Sequence, residues 1–195
     1  MKVLLVDNLS VHLSSLKKLI SEKLGDVEFI VHDPRQMKDK HLLEVELVIF
    51  SGGTGRSIEK NRQTFDSMVD LAIKHKKPTI GICLGAEAIA ARFGSNIEEI
   101  PTRRVGNVRS FFTDSGRKQL GISEDSTMAY EFHKWVIKDV KELLKVIATS
   151  KDGIEVFRHT ELPMWGMQFH PEVRHKNNKG HLIFECALRE MGLVE

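Results

Sequence analysis

The sequence predicts an α/β domain with a mostly parallel central sheet that has helices on both of its faces. In the first half, short apolar runs rich in β-branched residues alternate with amphipathic helical patterns, which is the order that βαβ units produce. These runs are continuously apolar, as expected of strands that are buried on both faces. From about Pro101, strand-like runs are joined mostly by short turns. We therefore expect a small β excursion around residues 100–165 before the chain returns to the main sheet.

The elements of the first half follow from the spacing of apolar residues. A helix is expected wherever apolar residues recur every three or four positions, as they do from Leu13 to Leu24. The helix after Cys83 is expected to be closed by Gly94, because glycine favours the residue after a helix end. In chain order we predict a strand at 2–6, a helix over 13–24, strands at 27–31 and 47–50, a helix around 64–75, a strand leading into Cys83, and a helix over 86–92.

The second half is expected to be mainly strands. Their predicted positions are 105–112, 127–130, 144–149, 154–157 and 165–169. A last helix, from roughly 179 to 191, carries apolar residues on one side, and Cys186 is one of them. We therefore expect Cys186 to pack in the core rather than to take part in chemistry.

Length and composition indicate one domain over residues 1–195. The chain is 41% hydrophobic and 29% charged with a formal net charge of +2, so neither a nucleic-acid partner nor a membrane partner is expected. Its two cysteines form neither a disulfide framework nor a zinc pattern. No signal peptide and no stretch long enough to span a bilayer is predicted. We expect an enzyme of the reducing, cytoplasmic compartment that uses no metal.

The segment around Cys83 carries the strongest chemical signal. Gly81 and Gly85 flank the cysteine at two residues' distance, between an apolar run and a helix. This is the pattern of a nucleophile elbow with cysteine in the serine position, where small neighbours relieve a cramped strand-to-helix turn. The field of the helix N-terminus would favour the thiolate. The alternative is a small cysteine buried at a strand end, which is the commoner role of a free cysteine.

His170 and Glu172 are the predicted partners of such a thiol. They follow a strand-like run and are separated by Pro171, and in extended backbone residues two apart face the same side. The carboxylate would then orient the imidazole, as in a cysteine–histidine–carboxylate arrangement. An exposed strand end with an incidental His and Glu is the alternative.

A glycine-rich loop over 51–55 follows the third predicted strand. Its backbone N–H groups can approach a ligand closely, and with the N–H of Leu84 they could donate to an oxyanion. A phosphate-binding loop is disfavoured because no Lys-Ser/Thr follows and the G-x-G-x-x-G spacing is missing. A plain flexible turn is the other alternative. His133, near two aromatic residues, is expected to be structural or to line the pocket.

Together these motifs resemble the class I (triad) glutamine amidotransferases, and the resemblance covers nearly the whole chain in the same order. It is carried by Val6-Asp7-Asn8, Ser51-Gly52-Gly53, Gly81-Ile82-Cys83-Leu84-Gly85 and His170-Pro171-Glu172. The resemblance implies a flavodoxin-like amidotransferase domain. It also implies release of ammonia from the glutamine side chain through a cysteinyl thioester.

The resemblance assigns a role to each matching residue. Cys83 would be the nucleophile, His170 the base and later the acid, and Glu172 the group that orients it. The N–H groups of Gly53 and Leu84 would form the oxyanion hole. The positions expected to contact the substrate are Gly52, Gly55, Glu87 and His133.

The resemblance also implies a partner. Ammonia would pass to an ATP-pyrophosphatase synthetase subunit, with ATP and Mg expected on that partner and no cofactor in this chain. The segment from Phe169 to His175, with Gly180 beyond it, looks most like the amidotransferase subunit of GMP synthase. Subunits of the anthranilate and aminodeoxychorismate type usually have Ser at the position of Val173. Such a subunit, a free-standing γ-glutamyl hydrolase and a non-catalytic regulatory module are the alternatives.

Three positions depart from the family pattern. Glu87 replaces the usual Gln, which adds a negative charge near the thiol and opposes its ionisation. Thr54 replaces a common Pro, and Phe132 replaces the usual Asn or Ser. These departures concern glutamine binding and leave the three triad residue types in place.

Overall fold

The computed structural model describes all residues from 1 to 195, and its strands form one nine-stranded sheet. Along this sheet the strand order is β2-β1-β3-β4-β9-β8-β6-β5-β7. The strands are β1 (Lys2–Val6), β2 (Glu28–His32), β3 (Leu47–Phe50), β4 (Thr79–Ile82), β5 (Ile97–Phe112), β6 (Ser126–Ile137), β7 (Leu144–Thr149), β8 (Ile154–His159) and β9 (Met164–Met167).

Six α-helices accompany the sheet. They are α1 (Leu13–Leu24), α2 (Asp39–Leu43), α3 (Arg62–Lys74), α4 (Leu84–Arg92), α5 (Asp114–Leu120) and α6 (Gly180–Glu190). Buried residues of α1, α5 and α6 belong to one hydrophobic cluster, and those of α2, α3 and α4 belong to a second. The prediction of helices on both faces is therefore confirmed. None of the six combines the length and the apolar character that a membrane crossing requires.

The two halves of the sheet differ in strand direction. Strands β2, β1, β3, β4 and β9 are parallel to one another, whereas β8 pairs antiparallel with β9, and β8, β6, β5 and β7 pair antiparallel among themselves. The description of the sheet as mostly parallel is thus wrong beyond its first five strands. The β excursion lies where it was expected, but two of its strands are longer than predicted, since β5 and β6 contain 16 and 12 residues.

Solvent exposure explains why the sequence did not predict the full length of the antiparallel strands. One face of an antiparallel ribbon can remain in water, so its residues need not be apolar. The start of β5 carries Glu98, Glu99, Arg103 and Arg104. Because this segment contains no apolar run, its sequence does not predict a strand. A register irregularity between Glu99 and Arg104 further interrupts the alternation. The last strand, β9, belongs to the parallel half, where Met164 pairs with Thr79 of β4.

Two helices lie in segments for which no helix was predicted. The first is α2, in a polar stretch, and the second is α5, a single short helix between β5 and β6. The N-terminus of α5 is capped by the Thr113 hydroxyl, which accepts a hydrogen bond from Gly116 N–H at 2.9 Å. Such caps stabilise helices that are too short to be recognised by periodicity.

The parallel half brings several loops to one edge. Because β1, β3, β4 and β9 run in the same direction, the segments that follow them leave the sheet at the same side. These segments hold Asn8, the 51–55 loop, Cys83 and His170. The carboxyl edge of a parallel sheet is where α/β proteins bind ligands, so the fold gathers the predicted site residues there.

Replacing Gly85 by alanine is expected to destabilise the fold strongly. A Cβ at Gly85 would lie 2.2 Å from the carbonyl oxygen of Phe50, and over-packing of this kind costs up to about 3 kcal/mol. Gly121→Ala is the control, because it has a φ of +66° but open space around it, and left-handed backbone costs roughly 1–2 kcal/mol. Denaturant unfolding followed by circular dichroism measures both. Equal losses in the two variants would contradict the close packing at Gly85.

Candidate active site

Cys83 lies between β4 and α4 in a strained backbone conformation. Its φ is +50° and its ψ is −110°, a region that costs a non-glycine residue on the order of 1–3 kcal/mol. Its N–H donates to the Met167 carbonyl at 2.7 Å, and its carbonyl accepts from Glu87 N–H at 2.9 Å. The cysteine is thereby tied to β9 on one side and to the first turn of α4 on the other.

The two flanking glycines are required by close backbone contacts. A Cβ at Gly81 would lie 2.5 Å from the Gly85 carbonyl oxygen, and one at Gly85 would lie 2.2 Å from the Phe50 oxygen. The turn therefore has no room for side chains at these positions. The predicted elbow geometry is present.

His170 and Glu172 meet as predicted. His170 Nδ1 lies 2.8 Å from Glu172 Oε1, and the two side chains are 4% and 0% exposed. The backbone differs from the prediction, because β9 ends at Met167 and Glu172 lies in a turn rather than in extended chain. The turn is held by Asn178, whose Nδ2 donates to the His170 carbonyl at 3.0 Å.

The charges at the site act on the thiol and the imidazole in opposite ways. Burial raises the pKa of the Cys83 thiol, the neighbouring His170 lowers it, and Glu87 adds to the rise. Burial also opposes charging of His170, but Glu172 and Cys83 together raise the pKa of the imidazole well above its ordinary value. A cationic His170 is thus the main group that favours the thiolate, and Glu87 works against it.

The glycine loop packs directly on this pair. A Cβ at Gly52 would lie 2.8 Å from His170 Cε1 and 3.4 Å from Cys83 Cβ. Asn8 holds the loop, since its N–H donates to Ser51 Oγ at 2.9 Å and its Nδ2 donates to the Ser51 carbonyl at 2.7 Å. The segments after β1 and β3 are therefore joined beside the thiol.

The backbone N–H groups of Gly53 and Leu84, the predicted oxyanion hole, are both free of hydrogen bonds to other backbone groups outside the helices and strands. The N–H of Gly53 makes no hydrogen bond within the protein, so it can donate to a ligand. The N–H of Leu84 lies against the Cys83 sulfur, and its hydrogen bond lowers the pKa of the thiol. Preorganised donors of this kind stabilise a developing oxyanion.

A cavity of about 340 Å³ opens beside α4, with Glu87 in its wall. The other lining residues are Arg56, Ser57, Ile58, Glu59, Arg62, Ala91, Ser95, Asn96, Ile97 and Trp135. Glu87 is buried and accepts a hydrogen bond from Gln168 Nε2 at 3.0 Å. Burial raises the pKa of Glu87 to about 7. Gly55 does not line this cavity, although the next residue, Arg56, does; Gly55 has a φ of +79° and open space around it.

His133 lies in the interior instead of lining the cavity. Its Nε2 is 3.0 Å from Glu131 Oε2, and both side chains are almost fully buried. It stands in the middle of β6 rather than in a strand-loop region. Glu155 lies near this pair, and burial together with the charge of Glu131 raises its pKa to about 8. Burial likewise raises the pKa of Glu131 to about 7.

A second cavity, of about 520 Å³, is lined by residues of α1 and by the segment 171–175, which includes Glu172. Cys83 lines neither cavity, but Glu87, whose N–H donates to the Cys83 carbonyl, lines the smaller one, so the smaller cavity is the better candidate for a substrate of the thiol. No group of three or more His, Cys, Asp or Glu residues is arranged to hold a metal ion.

Several residues near the site were not recognised from the sequence. Glu155 carried a usable signal, because a carboxylate within the apolar run of β8 indicates a buried acid. Gln168, which precedes the His170 turn, and His12, whose ring lies against His170, carried none. Their neighbours come from distant parts of the chain, and local pattern does not reveal such contacts.

Comparison with known proteins agrees with the geometry. A family model described as "Glutamine amidotransferase class-I" matches residues 4–189. One subunit of the glutamine-hydrolysing GMP synthase of Ignicoccus hospitalis is 32% identical over 145 residues, covering 73% of this chain and 74% of the relative. The anthranilate synthase component 2 of Mycobacterium tuberculosis is 28% identical over 177 residues, covering 88% of this chain and 75% of the relative.

Solved structures show the same fold. A Thermoplasma acidophilum protein, provisionally assigned as one of the subunits of GMP synthase, superimposes with a TM-score of 0.83 at 23% identity, covering 98% of this chain and 94% of the other. A glutamine amidotransferase from Thermotoga maritima gives a TM-score of 0.73 at 20% identity, covering 99% and 94%.

We expect the stability of the protein to fall as pH rises because of Glu155. Its ordinary pKa is 4.5 and its folded pKa is about 8. Between these values the unfolded chain releases the proton and the folded chain keeps it, so the free energy of unfolding decreases through this window. Glu155→Gln is expected to remove part of this dependence and to be more stable at pH 8 by about 2–4 kcal/mol, at about 1.4 kcal/mol per pKa unit.

Denaturant unfolding at pH 5 and pH 8 measures this effect. At pH 5 the Glu155→Gln variant and the unchanged protein should differ little, because Glu155 is neutral in the folded state. Glu124→Gln, at an exposed position, is the control and should follow the unchanged protein at both values. A Glu155→Gln variant that is less stable at pH 8 would contradict the interpretation.

Replacing Glu87 by Gln is expected to make the Cys83 thiol more reactive. The carboxylate raises the pKa of the thiol, and it is ionised above about pH 7. Without that charge a larger fraction of the thiol is ionised, and we expect its reaction with iodoacetamide at pH 8 to be about threefold faster. Mass spectrometry of the Cys83 peptide measures the rate, with Glu124→Gln as control. An unchanged or slower rate would show that Glu87 does not oppose the thiolate.

Proposed function

The chain belongs to the class I glutamine amidotransferase family, and we propose that it is the glutaminase subunit of a synthetase, delivering ammonia to a partner chain. The observation that carries the proposal is the geometry of Cys83, His170 and Glu172 at the carboxyl edge of the sheet. The thiol is set on a strained turn, the imidazole adjoins it, and the carboxylate holds Nδ1 of the imidazole at 2.8 Å. This arrangement suits nucleophilic attack on an amide.

The reaction would proceed through a thioester. Cys83 Sγ forms a bond to the side-chain carbonyl carbon of glutamine, while His170 accepts the thiol proton. The N–H groups of Gly53 and Leu84 stabilise the oxyanion of the tetrahedral intermediate. When the intermediate collapses, His170 protonates the leaving nitrogen, ammonia departs, and a γ-glutamyl thioester remains on Cys83.

Hydrolysis then restores the enzyme. His170 accepts a proton from water as the water oxygen bonds to the thioester carbon, and the C–S bond breaks in the second collapse. The proton returns to the sulfur, and glutamate leaves. The sum is glutamine plus water giving glutamate plus ammonia. Glu172 keeps the imidazole in one orientation through both halves, which is the role of the carboxylate in a triad.

The cavity beside α4 is the proposed glutamine site. Glu87 stands in its wall one helical turn from Cys83, so an amino acid bound there can place its α-ammonium near Glu87 and its side-chain amide near the thiol. The open space at Gly55 leaves room for the backbone of the substrate. Gly52 brings the loop against the thiol. His133 does not line this cavity and would influence glutamine binding only indirectly, through its contact with Glu131.

The proposed acceptor of the ammonia is XMP, which a partner would convert to GMP. The relatives described as subunits of GMP synthase support this, and so does Val173 after the His-Pro-Glu motif. We place ATP and Mg on an ATP-pyrophosphatase partner, with no cofactor in this chain. The second candidate is a subunit of the anthranilate synthase type, favoured by the longer stretch of chain that matches those relatives.

Glutamate release from glutamine tests the proposed chemistry. The unchanged protein with its synthetase partner should hydrolyse glutamine, and Cys83→Ala should lose at least about 10⁴-fold, since loss of a triad nucleophile removes most of the catalysis. Cys186→Ala is the matched control and should retain activity. Glutamate release that is independent of Cys83 would overturn the mechanism.

The same assay distinguishes the candidate partners. Ammonia transfer is measured as GMP formation from XMP with an ATP-pyrophosphatase chain, or as anthranilate formation from chorismate with an anthranilate synthase chain. We expect glutamine-dependent GMP formation and little glutamate release without the partner. High activity without any partner would favour a free-standing hydrolase.

A further inference from the structure

An imidazole outside the proposed triad lies against His170. His12 is the residue immediately before α1, and its ring centroid is 5.1 Å from that of His170 with an interplanar angle of 67°. This is an edge-to-face contact, within the separation at which aromatic rings attract one another. The reaction described above makes no use of His12.

The rings form a short series that ends on His170. The ring of Phe132 makes an edge-to-face contact with that of His12, with centroids 6.3 Å apart and an angle of 80°. The guanidinium of Arg103 lies over Phe132, 5.3 Å from its centroid. The ring of His12 is therefore in contact with two others, those of Phe132 and His170.

The backbone of His12 is held at the start of α1. Its N–H donates to Ser10 Oγ at 3.1 Å, and its carbonyl accepts from Leu16 N–H at 2.9 Å. The preceding residues lead directly to Asn8, which binds the Ser51 backbone. One loop thus contacts both the glycine loop beside the thiol and the imidazole beside it.

The charge state of His12 suits a packing role. Burial lowers the pKa of His12, the charge of His170 lowers it further, and Glu172 acts in the opposite direction. At neutral pH the ring is therefore uncharged and does not compete with a cationic His170. His170 and Glu172 are the charged groups that act on it, with Arg103 behind Phe132.

We propose that His12 is a positioning residue, whose ring holds His170 in the rotation that leaves Nε2 for the Cys83 thiol. The hydrogen bond from Nδ1 to Glu172 fixes one atom of the imidazole, but a ring held at one atom can still turn, because the terminal torsion of histidine is broad. Gly52 lies close to Cε1 of the imidazole, and the ring of His12 makes an edge-to-face contact with it, so both limit that rotation. This inference rests on the proposed function, since it assumes that the thiol is activated by His170.

The pH profile of Cys83 alkylation tests the role without glutamine or a partner. In a Cys186→Ala background, iodoacetamide reacts with a single thiol. His12→Ala is expected to slow the reaction about tenfold at neutral pH and to move the profile about one unit upward. His12→Phe, which keeps a ring edge, is expected to stay within about twofold of the background protein. In glutamine hydrolysis, His12→Ala should lower kcat and leave KM unchanged.

His32→Ala is the matched control, because it also removes a histidine from a ring contact, with His41 at 4.1 Å, but away from the thiol. It should leave the profile unchanged. If His12→Ala loses the native circular dichroism spectrum, His12→Leu takes its place, with the same expected loss relative to His12→Phe.

If Cys83 reacts faster than Cys186, the thiol is activated, and two results would then overturn the positioning role without overturning the proposed function. One is a His12→Ala profile identical to that of the background protein, and the other is a His12→Phe profile as impaired as that of His12→Ala. If Cys83 in the otherwise unchanged protein reacts no faster than Cys186, the proposed function fails, and the positioning role fails with it.

Discussion

The strained backbone at Cys83 is the constraint on which the rest of the structure depends. A left-handed conformation at a non-glycine residue persists only where surrounding contacts determine it. Here those contacts are backbone to backbone, between Gly85 and Phe50 and between Gly81 and Gly85. These contacts require the backbones of β3, β4 and α4 to touch one another directly. The helix dipole, the Leu84 N–H and the thiol can meet only because this packing leaves no space for side chains.

The interior around the thiol is acidic, and this shapes its chemistry. Glu87, Glu131 and Glu155 are all buried with raised pKa values, so at neutral pH they carry less charge than their number suggests. Uncharged carboxyl groups can lie near a thiolate without opposing it, and they donate hydrogen bonds as an amide does. In its neutral form Glu87 therefore resembles the Gln that the family pattern leads us to expect at this position. The departure from the family pattern is smaller in chemistry than in sequence.

Sequence motifs predicted those parts of the site that are formed by residues close together in the chain. Cys83 with its glycines, and His170 with Glu172, were recognised because residue type and spacing together express the geometry. The contacts of Glu155 and His12 join segments far apart in the sequence, so no local pattern contains them. The first half of β5 was missed for a different reason, since a strand with a solvated face can be charged. Its partner β6 was recognised only over its first residues, because polar residues such as Glu131 and His133 are buried within it.

The hydrogen bond from the Cys83 N–H to the Met167 carbonyl affects the order in which the protein unfolds. Hydrogen bonds in the middle of a buried parallel sheet open only in global unfolding, whereas edges and solvated ribbons open in smaller fluctuations. The antiparallel ribbon of β5 and β6 can therefore fray while the elbow remains closed. Mild heat or denaturant would loosen the outer strands before it disturbs the thiol. Loss of the elbow then coincides with loss of the native state, which makes the position of this cysteine a marker of cooperative unfolding.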